Sequence, residues 1–232
     1  MKRQGSPAIL LFSRQAAREA SRKRWLPGNA ARRNKMIAGA LLSHTLEVLH
    51  AADMPLYHFD ERLQSGATFG ERIAHAFASV FAQGHDYVIC VGSDCPQLDQ
   101  LDWGFIREQA FLKRGILGPD LRGGVYLIGM PKSDFKPLAF QQLPWQSPSL
   151  FKLFSAFYRD HCLLLESLRD LNGLEDIQAY LHSSASTRSL VQWLREWLWS
   201  NVRPLLSVRG FLYPAPIRSV RQLRAPPAVA QL

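Results

Sequence analysis

The sequence predicts an α/β fold, a three-layer sandwich in which a mostly parallel central sheet lies between helices. Short apolar runs, such as residues 8–12 and Tyr87–Val91, are typical of strands buried on both faces. Longer segments between them, such as residues 36–50 and 70–81, place apolar residues at helical spacing. Strands and helices alternate along the chain, and this alternation favours a parallel sheet covered by helices.

The predicted elements follow one another through residues 8–182. The strands are assigned from short apolar runs, and helical spacing of apolar residues is clearest in residues 36–50 and 70–81. The predicted strands are residues 8–12, 54–59, 87–91, 115–117, 125–129 and 163–166. The predicted helices are residues 36–50, 70–81, 102–113, 149–158 and 174–182, and residues 14–24 form a basic helix or loop.

Composition narrows the possible surroundings and partners. The formal net charge of +9 favours phosphates, polyanions or an anionic membrane surface without choosing among them. Three cysteines without a C-x-x-C pair indicate a reducing compartment, so we expect a cytoplasmic protein. No run approaches the roughly 18 apolar residues of a spanning helix, and we therefore expect a soluble protein.

The serine-rich stretch at residues 183–189 predicts a domain boundary. Residues 1–183 would form the α/β domain, and residues 184–232 a basic C-terminal extension. The extension begins with an amphipathic helix and continues as a Pro/Arg-rich tail. This helix either docks on the domain or makes peripheral contact with a membrane surface.

Asp94 is the leading candidate for a functional side chain. It follows the strand Tyr87–Val91, and Gly92 ends that strand. In open α/β sheets, ligands bind outside the carboxyl ends of the strands. An ionised carboxylate there needs a partner, and a divalent cation that bridges to a phosphate would serve. The alternative is that Ser93 or Asp94 caps the next helix.

Two further segments could contribute to an anion site. Arg14 begins a basic run after the first strand, and guanidinium groups bind phosphate oxygens in a bidentate manner. The loop at residues 64–70 leads into a helix, whose free N–H groups favour an anion or nucleotide. Thr68 and Glu71 equally fit a capping box, which would explain both residues without a ligand.

Two later segments could complete the site. Gly123 and Gly124 stand before a strand, where they permit close approach of a ligand or simply form a tight turn. Asp170 and Asn172 follow the last predicted strand, and their oxygens could join Asp94 around a metal ion. They could equally form Asx turns.

The order of these motifs resembles the bacterial DUF2064 proteins, a branch of the GT-A-like nucleotide-diphospho-sugar transferase (glycosyltransferase) superfamily. The resemblance covers roughly residues 7–182. The motifs that carry it are Thr68-Phe69-Gly70-Glu71-Arg72, Gly92-Ser93-Asp94-Cys95-Pro96-Gln97-Leu98, Gly123-Gly124-Val125-Tyr126-Leu127-Ile128-Gly129, Leu143-Pro144-Trp145-Gln146-Ser147, Leu168-Arg169-Asp170 and Leu174-Glu175-Asp176-Ile177.

The resemblance implies a GT-A-like fold of the Rossmann type and a nucleotide or nucleotide-sugar donor. It also implies a divalent cation, Mg²⁺ or Mn²⁺, at Asp94, with Asp170 close to it. We therefore expect Asp94 and Asp170 to act in catalysis and, with Asn172, to bind the metal. Expected nucleotide and phosphate contacts are Arg14, Thr68, Gly70, Arg72 and Ser93, and the acceptor side would hold Gly123, Gly124 and Trp145.

Two positions depart from the family pattern. An acid usually precedes the glycine pair, whereas this chain has Arg122 there and Asp120 two residues earlier. The segment Ser13–Ala17 lacks the glycine-rich loop of nucleotidyltransferases. One alternative is therefore a weakened or inactive member that binds a nucleotide or polyanion. Another is a nucleic-acid or membrane-surface binder that uses the basic tail. No sequence-specific nucleic-acid motif is visible, and the sequence does not indicate the oligomeric state.

Overall fold

The computed structural model describes residues 5–23, 25–26, 30–158, 161–183 and 189–206. These residues form a six-stranded sheet with the order β2-β1-β3-β5-β4-β6. Strand β5 is antiparallel to both of its neighbours, and the remaining pairs are parallel. The predicted mostly parallel α/β fold is confirmed. The strands are β1 (Pro7–Phe12), β2 (Leu56–Phe59), β3 (Tyr87–Val91), β4 (Gly115–Pro119), β5 (Val125–Pro131) and β6 (Cys162–Leu164).

Helices occupy the connections between these strands. The predicted basic segment at residues 14–24 contains a short helix, α1. A 3₁₀ turn at Pro96–Gln100 and the short helix α5 were not predicted, because neither is long enough to show a 3.6-residue period. The helices are α1 (Ala16–Arg22), α2 (Ala31–His50), α3 (Phe69–Ala82), α4 (Trp103–Phe111), α5 (Pro137–Gln141), α6 (Leu150–Tyr158), α7 (Leu174–Ser183) and α8 (Ser189–Leu206).

Helix α2 begins five residues before its predicted start at Met36. Its first turns are polar, and for that reason the apolar period was not visible there. Asn34 is nevertheless buried, because its side-chain oxygen accepts a hydrogen bond of 3.0 Å from the backbone N–H of Leu26. The tertiary contact thus satisfies a polar group that would otherwise oppose burial.

The sheet is apolar on both faces, as the strand runs predicted. Successive strand residues point to opposite faces, so that Leu10 and Ile9 enter different cores. One core contains Phe77 of α3. The other contains Ile106 of α4. Helices therefore cover both faces of the strands, and polar side chains that follow the strand ends are directed to the carboxyl edge of the sheet.

The chain divides into two compact units, Met1–Leu194 and Arg195–Leu232. The predicted boundary after Ser183 adjoins residues 184–188, which lie outside the described residues, as does the predicted tail from residue 207 onward. The predicted amphipathic helix corresponds to α8, in which Leu190, Val191 and Leu194 are buried. Among the described residues, no helix is long and apolar enough to cross a membrane.

Two helical glycines make a matched test of the packing of α3. A Cβ atom on Gly70 would lie 2.1 Å from the backbone oxygen of Gln141, whereas one on Gly39 would meet only Ala16 Cβ at 3.9 Å. We expect Gly70→Ala to lower the free energy of unfolding by about 1–3 kcal/mol through overpacking. Gly39→Ala should raise it by up to about 1 kcal/mol through helix propensity. Urea unfolding measures both, and equal effects would contradict the described packing.

Candidate active site

A cavity of about 500 Å³ opens at the carboxyl edge of the sheet. Parallel strands β1 and β3 end there, so the residues that follow them, including Arg14 and Asp94, line it. The antiparallel strand β5 starts at the same edge and contributes Gly124 and Val125. The topology therefore gathers polar strand ends and a glycine-rich strand start around one cavity.

Three aspartates line this cavity from three different strand ends. Asp94 follows β3, Asp120 follows β4, and Asp170 follows the segment after β6. The backbone N–H of Leu171 donates a 2.8 Å hydrogen bond to the carbonyl oxygen of Asp94. The N–H of Leu168 donates a 3.1 Å bond to the carbonyl of Pro119. These two main-chain bonds bring Asp94 and Asp170, the predicted pair, into one cavity and add Asp120 to it.

The Asp94 carboxylate does not cap a helix. Its Oδ1 lies over Gly92, where a Cβ atom would come within 2.8 Å of it, so a side chain at this position would make the carboxylate shift. The following 3₁₀ turn begins after Cys95, which makes no side-chain capping bond. The Asp94 side chain keeps 30% of its surface exposed. The carboxylate is thus available to the cavity.

Lys23 is the immediate partner of Asp94. Its Nζ contacts Asp94 Oδ2 and lies 3.4 Å from Glu19 Oε1. Burial opposes the charge of Lys23, yet the carboxylates of Asp94 and Glu19 outweigh it and raise the pKa of Lys23. Burial likewise opposes ionisation of Asp94, but the Lys23 ammonium lowers the pKa of that carboxyl. The two groups therefore form a charged pair.

Asp170 behaves differently from Asp94. Burial, together with the negative charges of Asp94 and Asp120, raises the pKa of Asp170 to about 8. Its Oδ1 is buried and has no hydrogen-bond partner. Asp120 Oδ1 is held instead by the backbone N–H groups of Arg122 at 2.5 Å and Gly124 at 3.0 Å. Asp170 is thus a carboxyl group that lies near the carboxylates of Asp94 and Asp120, and its Oδ1 makes no hydrogen bond.

The donor set fits a divalent cation in its chemistry. Carboxylate oxygens are the ligands that Mg²⁺ and Mn²⁺ prefer, and the unpartnered Asp170 Oδ1 is available as one. As the side chains stand, however, Lys23 is bound to Asp94. No group of three or more His, Cys, Asp or Glu side chains in the described ranges is arranged so that it could hold a metal ion. A cation at Asp94 would have to displace the ammonium.

The predicted nucleotide and phosphate residues divide into two groups. Arg14 and Ser93 line the cavity, and Arg14 Nη1 pairs with Glu19 Oε2 at 3.0 Å. Thr68, Gly70 and Arg72 are not part of the cavity lining.

Their local contacts explain the position of this second group. Thr68 and Glu71 form the capping box that was the alternative prediction. Arg72 Nη1 donates to the carbonyl of Ala67 at 3.1 Å, and Gly70 packs against Gln141. The loop that leads into α3 thus binds its own backbone, and the structure does not bring these three residues to the cavity.

The predicted acceptor side is also divided. Gly124 and Trp145 line the cavity, and Gly123 does not. Gly123 has a φ of +86° and approaches Pro148, so that a Cβ atom would lie 2.4 Å from the Pro148 carbonyl oxygen. Gly123 therefore serves the turn into β5, as the alternative prediction held. Trp145 packs against Phe69, with ring centroids 5.6 Å apart.

Arg122 lines the cavity but has Asp176, outside the cluster of three aspartates, as its charge partner. Its Nη2 donates to Asp176 Oδ1 at 2.6 Å, and Arg169 approaches the same oxygen at 3.4 Å. Asp176 also accepts the backbone N–H groups of Asn172 and Gly173 at the start of α7. Asn172 lines the cavity, and its service as a metal ligand stays a prediction.

Two residues of the cavity, Lys23 and Asp120, were not among the predicted site residues. Lys23 was only one member of a basic run, and Asp120 was only a possible substitute for an acid next to the glycines. The spacing of Glu19 and Lys23 by four residues was a visible signal for a pair on one helix face. The contact of Lys23 with Asp94, 71 positions later, had no local signal.

A second polar cluster lies at the ends of β1 and β2. Ser13 Oγ and His58 Nε2 are 2.8 Å apart, and Ser13 lines the cavity. Gln64 Nε2 donates to the backbone oxygen of Ser13 at 2.7 Å. Burial lowers the pKa of His58, more strongly than the nearby carboxylate of Asp60 raises it. The imidazole is therefore held in its neutral form near pH 7.

The comparisons with known proteins support the predicted family. Residues 36–147 match the DUF2064 family model, whose description is an uncharacterized protein conserved in bacteria. The predicted resemblance to this family is thereby confirmed. The matched segment contains Asp94 and Asp120 but neither Lys23 nor Asp170. No curated protein matches the sequence.

The fold also recurs in a solved structure. A protein of Desulfovibrio desulfuricans G20, provisionally named a nucleotide-diphospho-sugar transferase, has a TM-score of 0.70 and 22% identity, over 86% of this chain and 98% of its own. At this identity, the similarity shows a shared fold. Rv0371c of Mycobacterium tuberculosis H37Rv has a TM-score of 0.49 and 14% identity, over 77% of this chain and 99% of its own. That similarity is too weak to support an argument.

The capping role of Thr68 can be separated from a role in binding. We expect Thr68→Ala to lower the free energy of unfolding by about 1 kcal/mol, because the N–H of Glu71 loses its acceptor. The affinity for nucleoside diphosphates should not change, since Thr68 does not line the cavity. Thermal unfolding and calorimetric titration test the two statements, and a lost affinity at unchanged stability would contradict this assignment.

His58 predicts a pH dependence of stability. Because the pKa of His58 is lower in the folded protein than in the unfolded chain, the unfolded chain binds the proton more tightly. The resulting stability is present above the unfolded pKa of about 6.5 and is lost as the pH falls through the folded value. Relative to the wild type, His58→Gln should lose less stability from pH 7 to 5, by at most about 1.4 kcal/mol per pH unit. Urea unfolding at both pH values measures these losses. An equal loss of unfolding free energy in the wild type and in His58→Gln would contradict the prediction.

Proposed function

We propose that this protein is a transferase that uses a nucleotide-activated sugar or a related donor together with a divalent cation, Mg²⁺ or Mn²⁺. One observation carries the proposal. The Asp94 carboxylate faces a cavity at the carboxyl edge of an α/β sheet, where it meets Asp120 and Asp170. This edge is where open α/β sheets bind their ligands.

The charges of the cavity favour a cation as part of the bound complex. A diphosphate is strongly anionic and would be repelled by the aspartate cluster unless a cation lay between them. The cavity is lined by the cationic side chains Arg14, Lys23 and Arg122 and by the carboxyl groups Glu19, Asp94, Asp120 and Asp170. Each of these cations already has a carboxylate partner. They therefore leave little free positive charge for a diphosphate.

The size and walls of the cavity suit a nucleotide-sized ligand. Small-molecule sites commonly have volumes of about 300–1,000 Å³ and combine apolar walls with a few polar groups. Here the volume is about 500 Å³, and the rings of Phe12, Phe69 and Trp145, each in contact with the next, form an apolar part of the wall. Such rings can hold a base or a sugar ring by stacking.

Each part of the proposal assigns a task to residues of this chain. Asp94 and Asp170 would hold the cation, with Asn172 as a further oxygen ligand, and Arg14 and Ser93 would bind phosphate oxygens. A bound cation would supply charge stabilisation to the diphosphate as it leaves. Gly124 and Trp145 would lie on the acceptor side. The provisional name of the Desulfovibrio desulfuricans relative is consistent with this class of donor.

Calorimetric titration tests this proposal. We expect UDP, GDP or CDP, or one of their sugars, to bind the full chain in the presence of Mn²⁺ or Mg²⁺ and much more weakly in the presence of EDTA. Asp94→Asn should weaken the metal-dependent binding by about tenfold or more, because it removes a charged ligand. Asp53→Asn is the matched control, since it removes a charge from an exposed residue outside the cavity.

The outcomes separate the predicted alternatives. Absence of metal-dependent binding to every nucleotide and sugar nucleotide would contradict the proposal. Binding without transfer of the sugar to any acceptor or to water would instead favour the alternative of a weakened family member. An equal loss of affinity in the Asp94→Asn and Asp53→Asn proteins would show that the effect does not arise at the cavity.

A further inference from the structure

Resting on the proposed function, we infer that Lys23 and the divalent cation compete for one carboxylate, Asp94. Lys23 would leave Asp94 for a phosphate of the donor when the cation binds. The inference assigns Lys23 a positioning role that links metal binding to donor binding. It depends on the contacts of Lys23, on the orientation of Asp94 and on the freedom of the lysine side chain.

The contact geometry places both cations on the same carboxylate. Asp94 Oδ1 is turned towards Gly92, at 2.8 Å from the position of a Cβ atom there. Asp94 Oδ2 is bound by Lys23 Nζ. A divalent cation between Asp94 and Asp170 would come close to this ammonium. Like charges on one carboxylate repel strongly where solvent is largely excluded, and the side chain of Lys23 is only 15% exposed.

Lys23 has a second carboxylate partner, Glu19, besides Asp94. Glu19 Oε1 lies 3.4 Å from its Nζ and remains a partner when Asp94 is lost. A lysine carries its charge on a flexible four-carbon stem, so the ammonium can move without the backbone. The backbone itself is held on both sides, because the N–H of Lys23 donates to the carbonyl of Glu19 at 2.9 Å and Trp25 Nε1 donates to the carbonyl of Leu171 at 2.8 Å. The exchange thus requires only a side-chain movement.

The competition couples the binding of the metal ion to the binding of the donor. A metal ion alone must displace Lys23 and leave the ammonium with fewer carboxylates around it. A donor diphosphate gives the displaced ammonium a new anionic partner, so that metal and donor strengthen each other's binding. By this reasoning the chain favours the metal–diphosphate complex over the free metal ion. Removal of the ammonium should abolish that preference.

The test measures Mn²⁺ binding to the full chain without nucleotide, from the electron paramagnetic resonance signal of free Mn²⁺. We expect Lys23→Gln to bind Mn²⁺ about tenfold more tightly than the wild type, a typical size for a coupling between sites. Arg22→Gln is the matched control: it removes the same charge from the adjacent, exposed residue at the end of α1, which does not line the cavity. Its affinity should stay within about twofold of the wild type.

A double variant locates the effect. Asp94→Asn in the Lys23→Gln background should lose the gained affinity, because the contested carboxylate is then absent. If Lys23→Gln does not fold, Lys23→Arg decides the question. The bidentate guanidinium would hold Asp94 more firmly, and we expect it to weaken Mn²⁺ binding relative to the wild type. Unchanged or tighter binding in Lys23→Arg would then overturn the inference.

The outcomes distinguish this inference from the proposed function. Equal Mn²⁺ affinity of the wild type, Lys23→Gln and Arg22→Gln proteins overturns the competition and leaves the proposed function in place. Weaker binding by Lys23→Gln also overturns it, because the ammonium would then assist the metal. Absence of Mn²⁺ binding by all of these proteins, Lys23→Gln included, overturns the competition, whereas the metal dependence of the proposed function is decided by the nucleotide titrations with Mn²⁺ or EDTA.

Discussion

The site depends on a backbone hydrogen bond that joins the segment after β6 to the residues that follow β3. The N–H of Leu171 donates to the carbonyl of Asp94 and thereby holds the segment after β6 against the end of β3. This bond keeps the carboxyl groups of Asp94 and Asp170 close despite their repulsion. Two features reduce that repulsion. Asp170 has a raised pKa, which favours its protonated, neutral form, and Lys23 supplies a positive charge that balances Asp94.

The single antiparallel strand explains why the cavity has two unlike sides. Because β5 lies between β3 and β4 and runs against both, it begins at the edge where they end. Its start brings Gly124 against the Asp120 carboxylate, where a Cβ atom would lie 2.5 Å from Asp120 Oδ2. The lack of a side chain there permits the close approach. Carboxyl groups and the beginning of a strand thus share one opening, which the proposed reaction uses for donor and acceptor.

Several predicted site residues illustrate how local and distant partners compete. The sequence predicted free backbone N–H groups in the loop before α3, and a bound anion could have accepted their hydrogen bonds. Thr68 and Glu71 satisfy them within the chain, so no ligand is required. Arg122 similarly takes Asp176 as its partner. By contrast, the charge partner of Asp94 is Lys23, which is far away in the sequence, and Asp94 lines the cavity at the end of β3.

The sequence by itself determined the order of strands and helices, the burial of both sheet faces and the exit of Asp94 from β3. Period and composition are local properties, and the strand runs need cover on both sides. Only the tertiary structure decided that Lys23 meets Asp94, that Asp120 joins the cluster and that Thr68 stays outside the cavity. Such contacts depend on where a fold places residues that are far apart in the chain, and residue spacing carries no information about that distance.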